Sequence, residues 1–248
     1  MSHSFAVLIA AAGKSRRFAE GTPSGTAADA LRKPFVELYG RPVWQHSATL
    51  FAAHPCVRQL IVILSPEDRD FFESTYSPQI AQWSLELVDG GAERFESIEN
   101  GLRQVRREID FVAIHDAARP CVRPEQIDAV FRAAEQYEAA ILATPLVGTI
   151  KRTIPRVVSA AQSDNAAIFD IAETVPRDHL WEAQTPQVFR RSLILDAFAR
   201  RGDACVTDDS QLVEHIGHTV KIVSSDLTNL KITTASDLSL ARRLLAKE

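Results

Sequence analysis

The apolar residues of this chain follow two rhythms. Unbroken apolar runs at 5–11, 60–64, 111–114 and 140–143 read as strands buried on both faces, and Leu85-Glu86-Leu87-Val88 as a shorter one. Between them, apolar positions recur at helical spacing. Val43, Ser47, Leu50 and Phe51 predict a helix over 42–54. Ile98, Leu102 and Val105 predict another from about 96 to 107, and a third fits 124–137. Ser65-Pro66-Glu67-Asp68 has the form of a helix start, with proline at the first helical position and acids in the first turn. Later come helices over 191–201 and 210–216, a strand at 220–223 and a last helix over 235–246, which Thr234 to Asp237 can cap.

Strands alternating with helices imply an α/β fold: a mostly parallel nucleotide-binding sheet with helices on both faces. The whole chain, 1–248, reads as a single domain. Ligands of such sheets bind at the carboxyl ends of the strands. The segments that follow the strands here are 11–17, Ser65, Asp89-Gly90-Gly91, 115–119 and Thr144-Pro145, all small, polar or charged. From about 149 to 185 the alternation breaks. Ile150, Ile154, Val157, Val158, Ile168, Ile171 and Val175 are scattered among polar residues and prolines. This pattern predicts a protruding β-arm, and an exposed apolar arm calls for a partner, hence a homodimer. A long disordered loop is the alternative.

Composition narrows the function. Lys and Arg number 28 against 32 Asp and Glu, a net charge of −4, so no nucleic-acid partner is expected. The basic residues cluster locally, which suits a small anion better than a long polyanion. Cys56, Cys121 and Cys205 share no metal-ligand spacing and are too few for a disulfide scaffold. No apolar run is long enough to span a bilayer, and the first strand leaves no room for a leader. A cytoplasmic enzyme without a membrane partner is expected, and the length leaves no room for a second fused enzyme.

Candidate chemistry begins at the first strand end. Ala11-Ala12-Gly13 lets a backbone approach a phosphate closely, and Lys14, Arg16, Arg17 and Lys33 supply cations. The loop lacks the glycine-lysine ending of a P-loop and the three glycines of the dinucleotide fingerprint. Taken alone, it fits a small-residue turn beside a basic cluster equally well. Asp89-Gly90-Gly91-Ala92-Glu93-Arg94, with Ser97 beyond it, can read a flat base through backbone groups; a tight turn with a helix cap is the alternative. Asp116 in His115-Asp116-Ala117-Ala118-Arg119-Pro120 suits Mg²⁺, which takes one or two carboxylates plus phosphates and water. A helix cap or a salt bridge to Arg119 would explain the same aspartate, and His115 reads as structural. Thr207-Asp208-Asp209 and Asn229-Leu230-Lys231 fall where the last strands return to the same edge, and Lys231 would add positive charge there.

Taken in order, these segments, with Thr174-Val175, Arg177 and Thr185-Pro186-Gln187, closely resemble the 2-C-methyl-D-erythritol 4-phosphate cytidylyltransferases of the non-mevalonate isoprenoid pathway. The resemblance runs over nearly the whole chain. It implies transfer of a cytidylyl group from CTP to methylerythritol 4-phosphate, with Mg²⁺, in a homodimer joined by the β-arm. Ala11, Ala12, Gly13 and Arg17 would form the triphosphate loop. Arg17 and Lys33, with Lys231, would be the catalytic cations. Gly91 and Ser97 would contact cytosine, while Asp116 and Ala117 would line the ribose and metal region. Arg119, Arg177, Thr185 and Thr207 would bind the acceptor, Arg177 and Thr185 reaching the neighbouring subunit's substrate. This chain departs from the pattern at Ala10 and Ala92, where members often carry proline and an acid, at Lys14, and in the longer 20–30 loop.

The nearest rival is a cytidylyltransferase for another polyol phosphate such as ribitol 5-phosphate. A sugar-1-phosphate nucleotidyltransferase using another base fits less well. A non-catalytic nucleotide-binding regulator is the different-class alternative, against which stand the cations aimed at an α-phosphate.

Overall fold

The structure is a computed structural model that describes residues 3–13, 33–154, 168–202 and 206–246. Arg17, Cys205 and the 20–30 loop therefore lie outside the described residues. Seven strands form the central sheet: β1 (Phe5–Ala10), β4 (Val57–Leu64), β5 (Glu86–Asp89), β6 (Phe111–Asp116), β7 (Ala139–Pro145), β10 (Trp181–Arg190) and β11 (Lys221–Ser224). Their order is β11-β7-β10-β6-β1-β4-β5. All neighbours are parallel except β10, which runs antiparallel to β6 and β7. Strands β2 (Glu37–Leu38) and β3 (Arg41–Pro42) form a small separate hairpin.

Strand side chains alternate between two cores, as the period of a strand requires. Phe5, Val7 and Ile9 face one core, which is closed by Trp44, Ala48 and Phe51 of α1 (Val43–Ala53), Phe72 of α2 (Arg69–Thr75) and Ile127, Val130 and Phe131 of α5 (Pro124–Tyr137). Helix α3 (Ser77–Trp83) adds Ile80 and Trp83 at its margin. Ala6 and Leu8 face the other core, closed by Ile98 and Leu102 of α4 (Arg94–Arg103), Ile194 and Phe198 of α6 (Arg191–Ala199) and Leu212 of α7 (Ser210–His215). The expected two-sided α/β architecture is therefore present. The last helix, α8 (Ala235–Leu245), starts as the sequence predicts, with Thr234 Oγ1 accepting the Asp237 N–H at 3.2 Å. It closes a smaller cluster in which Leu38, Val43 and Ile232 are fully buried.

Two expectations need correction. Helix α4 runs over Arg94–Arg103 and not from about 96 to 107: the Glu93 N–H donates to Glu96 Oε2 at 3.1 Å and starts it earlier, and the Gln104 N–H donates to Gly101 O and closes it before Val105. The 149–185 segment divides. Strands β8 (Ile150–Thr153) and β9 (Ile171–Val175) pair as an antiparallel hairpin outside the central sheet. From Trp181 onward the chain belongs to that sheet as β10, with Val188 and Phe189 fully buried. The sequence pattern does not reveal β10, because Gln184, Thr185, Pro186 and Gln187 interrupt its apolar residues. The ladder to β7 shifts register between Ala183 and Gln187, the kind of irregularity that lets a sheet hold a proline. No helix among the described residues is long and apolar enough to cross a membrane.

Candidate active site

The carboxyl ends of β1, β5 and β6 open onto one cleft of about 410 Å³. Register sets Ala10 of β1 beside Asp116 of β6. The Ala117 N–H donates to Ala10 O at 3.1 Å, and the Gly90 N–H to Leu64 O at 2.6 Å, so backbone bonds tie the strand ends together. The cleft wall includes Ala11, Ala12 and Gly13 after β1, Lys33 and Pro34, then Gly91 to Arg94 and Ser97, Asp116 and Ala118, and finally Lys231 and Thr233. Sequence-distant segments thus meet because parallel strands deliver their following residues to one edge.

Asp116 is the electrostatic centre, with its side chain 11% exposed. Lys231 Nζ lies 2.7 Å from its Oδ2, Arg94 NH2 3.7 Å from its Oδ1, and Arg119 Nε 3.8 Å from its Oδ2. Burial alone would raise the carboxyl; the Lys231 ammonium and the Arg94 guanidinium outweigh it and hold the group well below the usual carboxylate range. The expected pairing with Arg119 is present, but Lys231 is the closer partner. The Asp116 N–H donates to Thr185 Oγ1 at 3.0 Å, which fixes the strand end behind the carboxylate.

Arg94 is held from the other side by Asp209, through NH1 to Oδ1 at 3.0 Å and NH2 to Oδ2 at 2.7 Å. Asp209 is buried just before α7. Burial works against the Arg94 charge, yet Asp209 and Asp116 outweigh it and hold the guanidinium above its ordinary value. The sequence motifs contain Arg94 and Asp209 but assign neither a role. Arg94 opens α4 just after β5, but Thr207-Asp208-Asp209 lies between α6 and α7 and not at a strand end as expected, so only tertiary contact pairs Asp209 with Arg94.

Three residues beyond Arg94 on the same helix, Ser97 Oγ accepts the Gly91 N–H at 3.0 Å and donates to Glu93 O at 3.1 Å. This braces the Gly90-Gly91 turn. A Cβ on Gly91 would come within 2.4 Å of Glu96 Cβ, so the close turn requires glycine there. Ala10 and Ala92, the two departures from the family pattern, both line the cleft.

Other expected residues lie elsewhere. Ala117 is fully buried in the core, and its neighbour Ala118 faces the cleft instead. Arg119 is 6% exposed, with NH1 donating to Asn229 O at 2.8 Å. Thr185 is buried beneath Asp116 in β10, not on the hairpin. Arg177 follows β9 and donates to Val147 O. Thr207 lines a separate depression with Trp181 and Gln211. In this chain alone, Arg177 and Thr207 do not join the cleft wall. His115 is structural, as its sequence context implies: it is fully buried, its Nε2 is 3.2 Å from Arg119 O, and burial pulls its pKa down to about 4.

A carboxylate ringed by cations beside a glycine turn, at the ends of parallel strands, defines a nucleotide-binding α/β protein built to hold a phosphate-bearing ligand. Residues 5–247 match the family model described as IspD: 2-C-methyl-D-erythritol 4-phosphate cytidylyltransferase, and the chain belongs to that family. It is 39% identical over 257 residues to 2-C-methyl-D-erythritol 4-phosphate cytidylyltransferase of Rhodopirellula baltica, covering 98% of this chain and 95% of that one. It is 35% identical to the bifunctional enzyme IspD/IspF of Desulfotalea psychrophila, of which it spans 57%, with 98% of its own length matched. Among solved structures, it is similar to a crystal structure of 4-diphosphocytidyl-2C-methyl-D-erythritol synthase, with a TM-score of 0.73, 29% identity and coverage of 99% and 100%. The cytidylyltransferase of Thermus thermophilus gives a TM-score of 0.71 at 26% identity, covering 98% of each chain.

Proposed function

We infer that this chain joins CTP and 2-C-methyl-D-erythritol 4-phosphate to give 4-diphosphocytidyl-2-C-methyl-D-erythritol and pyrophosphate. The family match supports the substrates. The observation that carries the chemistry is the meeting of Ala11, Gly13, Lys33, Gly91, Arg94, Asp116 and Lys231 around one cleft.

In the reaction, a phosphate oxygen of the acceptor attacks the α-phosphorus of CTP. The bond from that phosphorus to the bridging oxygen breaks, and pyrophosphate leaves with its electron pair. The attacking phosphate is already ionised, so no strong general base is needed. The protein's task is to position the groups and stabilise charge. The backbone of Ala11, Ala12 and Gly13 serves the triphosphate together with Lys33, and the sequence resemblance assigns Arg17 to the same loop. Lys33, Arg17 and Lys231 spread the charge that grows in the transition state. The Gly90-Gly91 turn braced by Ser97 serves the cytosine. Arg119 and Thr185 shape the acceptor side from behind Asp116, Arg177 reaches the acceptor of the neighbouring subunit, and Thr207 with Lys231 completes the acceptor pocket.

Mg²⁺ fits the residues present. Among the described residues no cluster of three or more His, Cys, Asp or Glu could hold an ion. Asp116 instead offers one ionised carboxylate, with nucleotide phosphates and water to complete the octahedron, which is how Mg²⁺ is commonly held. Bound there, the ion would add Lewis-acid stabilisation to the phosphates.

A homodimer is part of this reading. Ile154, Ile168, Phe169 and Ile171, in and around the β8–β9 hairpin, are exposed, and such an apolar surface is better covered by a second copy. Because CTP is supplied inside the cell, the reading places the enzyme in the cytoplasm. The test is pyrophosphate release with CTP and Mg²⁺, comparing methylerythritol 4-phosphate with ribitol 5-phosphate. Release with the first acceptor is expected and should stop when EDTA is added; release with ribitol 5-phosphate alone would overturn the substrate assignment.

A further inference from the structure

Asn229 is fully buried and lines no part of the cleft, yet every group that supports Asp116 from behind is one step away from it. Its Nδ2 donates to Gln184 Oε1 at 3.1 Å and to Thr185 O at 3.0 Å. Thr185 in turn receives the Asp116 N–H. The carbonyl of Asn229 accepts from Arg119 NH1 at 2.8 Å, and Arg119 Nε lies 3.8 Å from Asp116 Oδ2. Two residues on, Lys231 reaches Asp116 itself. The next residue ties the segment to the Asp116 loop, as the Ile232 N–H donates to Ala118 O at 2.8 Å.

The two acceptors facing Nδ2 dictate which way the carboxamide points. That orientation leaves Asn229 Oδ1 buried without a partner. A buried acceptor left unpaired is costly, so a side chain kept solely to fill this space would be better apolar. What Asn229 adds is a pair of donors in a place where three chain segments must be held in register. Lysine has a flexible stem and a mobile point charge, so its placement depends on how its backbone is anchored.

We propose that Asn229 is a positioning residue for this site, holding the Lys231 segment against β10 and the 116–119 turn so that the Lys231 ammonium stays on Asp116. The proposal rests on the cytidylyltransferase reading for its effect on turnover, but its structural core can be tested without turnover.

Two readouts test it in Asn229→Ala. The first is the rate at which trace acetic anhydride labels Lys231, followed by mass spectrometry in the absence of substrate. Loss of anchoring should make labelling several-fold faster, while labelling of Lys221, on an edge strand, stays unchanged. The second is kcat, measured in the wild-type and Lys231→Ala backgrounds. Misplacement of a reacting charge by about 1 Å can cost about 100-fold; a fall of that order in the wild-type background, with KM for CTP nearly unchanged, should vanish in the Lys231→Ala background. Equal losses in both backgrounds, or an unchanged Lys231 labelling rate, would overturn the proposal. If Asn229→Ala does not fold, Gln184→Ala removes one of the two acceptors and is read the same way. A wild-type protein that releases no pyrophosphate would count against the proposed function, and the labelling rate would still decide the role of Asn229.

Discussion

Lys231 Nζ stands 2.7 Å from Asp116 Oδ2, closer than either arginine that faces the same carboxylate. The pair joins the end of a central strand to a segment near the carboxyl terminus, and it keeps the nearly buried Asp116 carboxyl ionised. In the proposed reaction, a cation held in place this way would need little rearrangement when negative charge grows beside it.

Lys231→Met should therefore lower kcat by about 100- to 1,000-fold, the usual loss when one preorganised charge-stabilising donor is removed. Pyrophosphate release at saturating CTP measures this. A kcat close to that of the wild type would remove Lys231 from the reaction.

Arg94 and Asp209 make a bidentate pair in which the Asp209 side chain is only 2% exposed. Arg94→Ala leaves that carboxylate buried and unpaired, and should cost about 3 kcal/mol of stability. Urea unfolding measures it. The double variant Arg94→Met/Asp209→Leu should recover most of the loss, since an apolar pair leaves no orphaned charge.

The buried His115 ring has a pKa near 4 in the folded protein against 6.5 for the free side chain. Between those values the unfolded chain binds more protons than the folded one. Stability is then complete above about pH 6.5 and falls as the pH drops toward 4, with a slope approaching about 1.4 kcal/mol per pH unit from this group. His46, also lowered by burial, adds to the trend in the same direction. His115→Gln should flatten the dependence of the urea midpoint on pH between about 4.5 and 6.5, by roughly the share one histidine contributes. An unchanged slope would mean that His115 titrates alike in both states.

Gly90 is packed against Ala12 and Ser97. A Cβ there would lie 2.6 Å from Ala12 Cβ and 2.9 Å from Ser97 Oγ. Gly90→Ala should push these walls apart and raise KM for CTP about tenfold, in line with the cost of modest overpacking. Gly148→Ala, with nothing within 4 Å of its Cβ, is the matched control. Equal KM values for the two variants would show that the turn does not bear on nucleotide binding.

Much of this architecture is legible from residue order alone. The apolar runs at 60–64 and 111–114 are continuous because those strands are covered on both faces, and a continuous run is visible without a structure. Helix α5 occupies its predicted bounds, because Pro124 marks its start and its buried residues recur at helical spacing. The residues after β1, β5 and β6 announce a shared edge, because parallel strands in one sheet end on the same side.

The tertiary structure alone decided which of those residues meet. Strand β10 escapes the sequence pattern because it is short of apolar residues until Val188, and its membership of the sheet comes from pairing with β6 and β7. The bond of Arg94 to Asp209, the hold of Thr185 on Asp116 and the hub at Asn229 all join segments far apart in the chain. Local sequence encodes periodicity and turn chemistry, which act between near neighbours. It does not encode the partner of a buried charge, which is chosen by the distance and dielectric that exist only once the chain has folded.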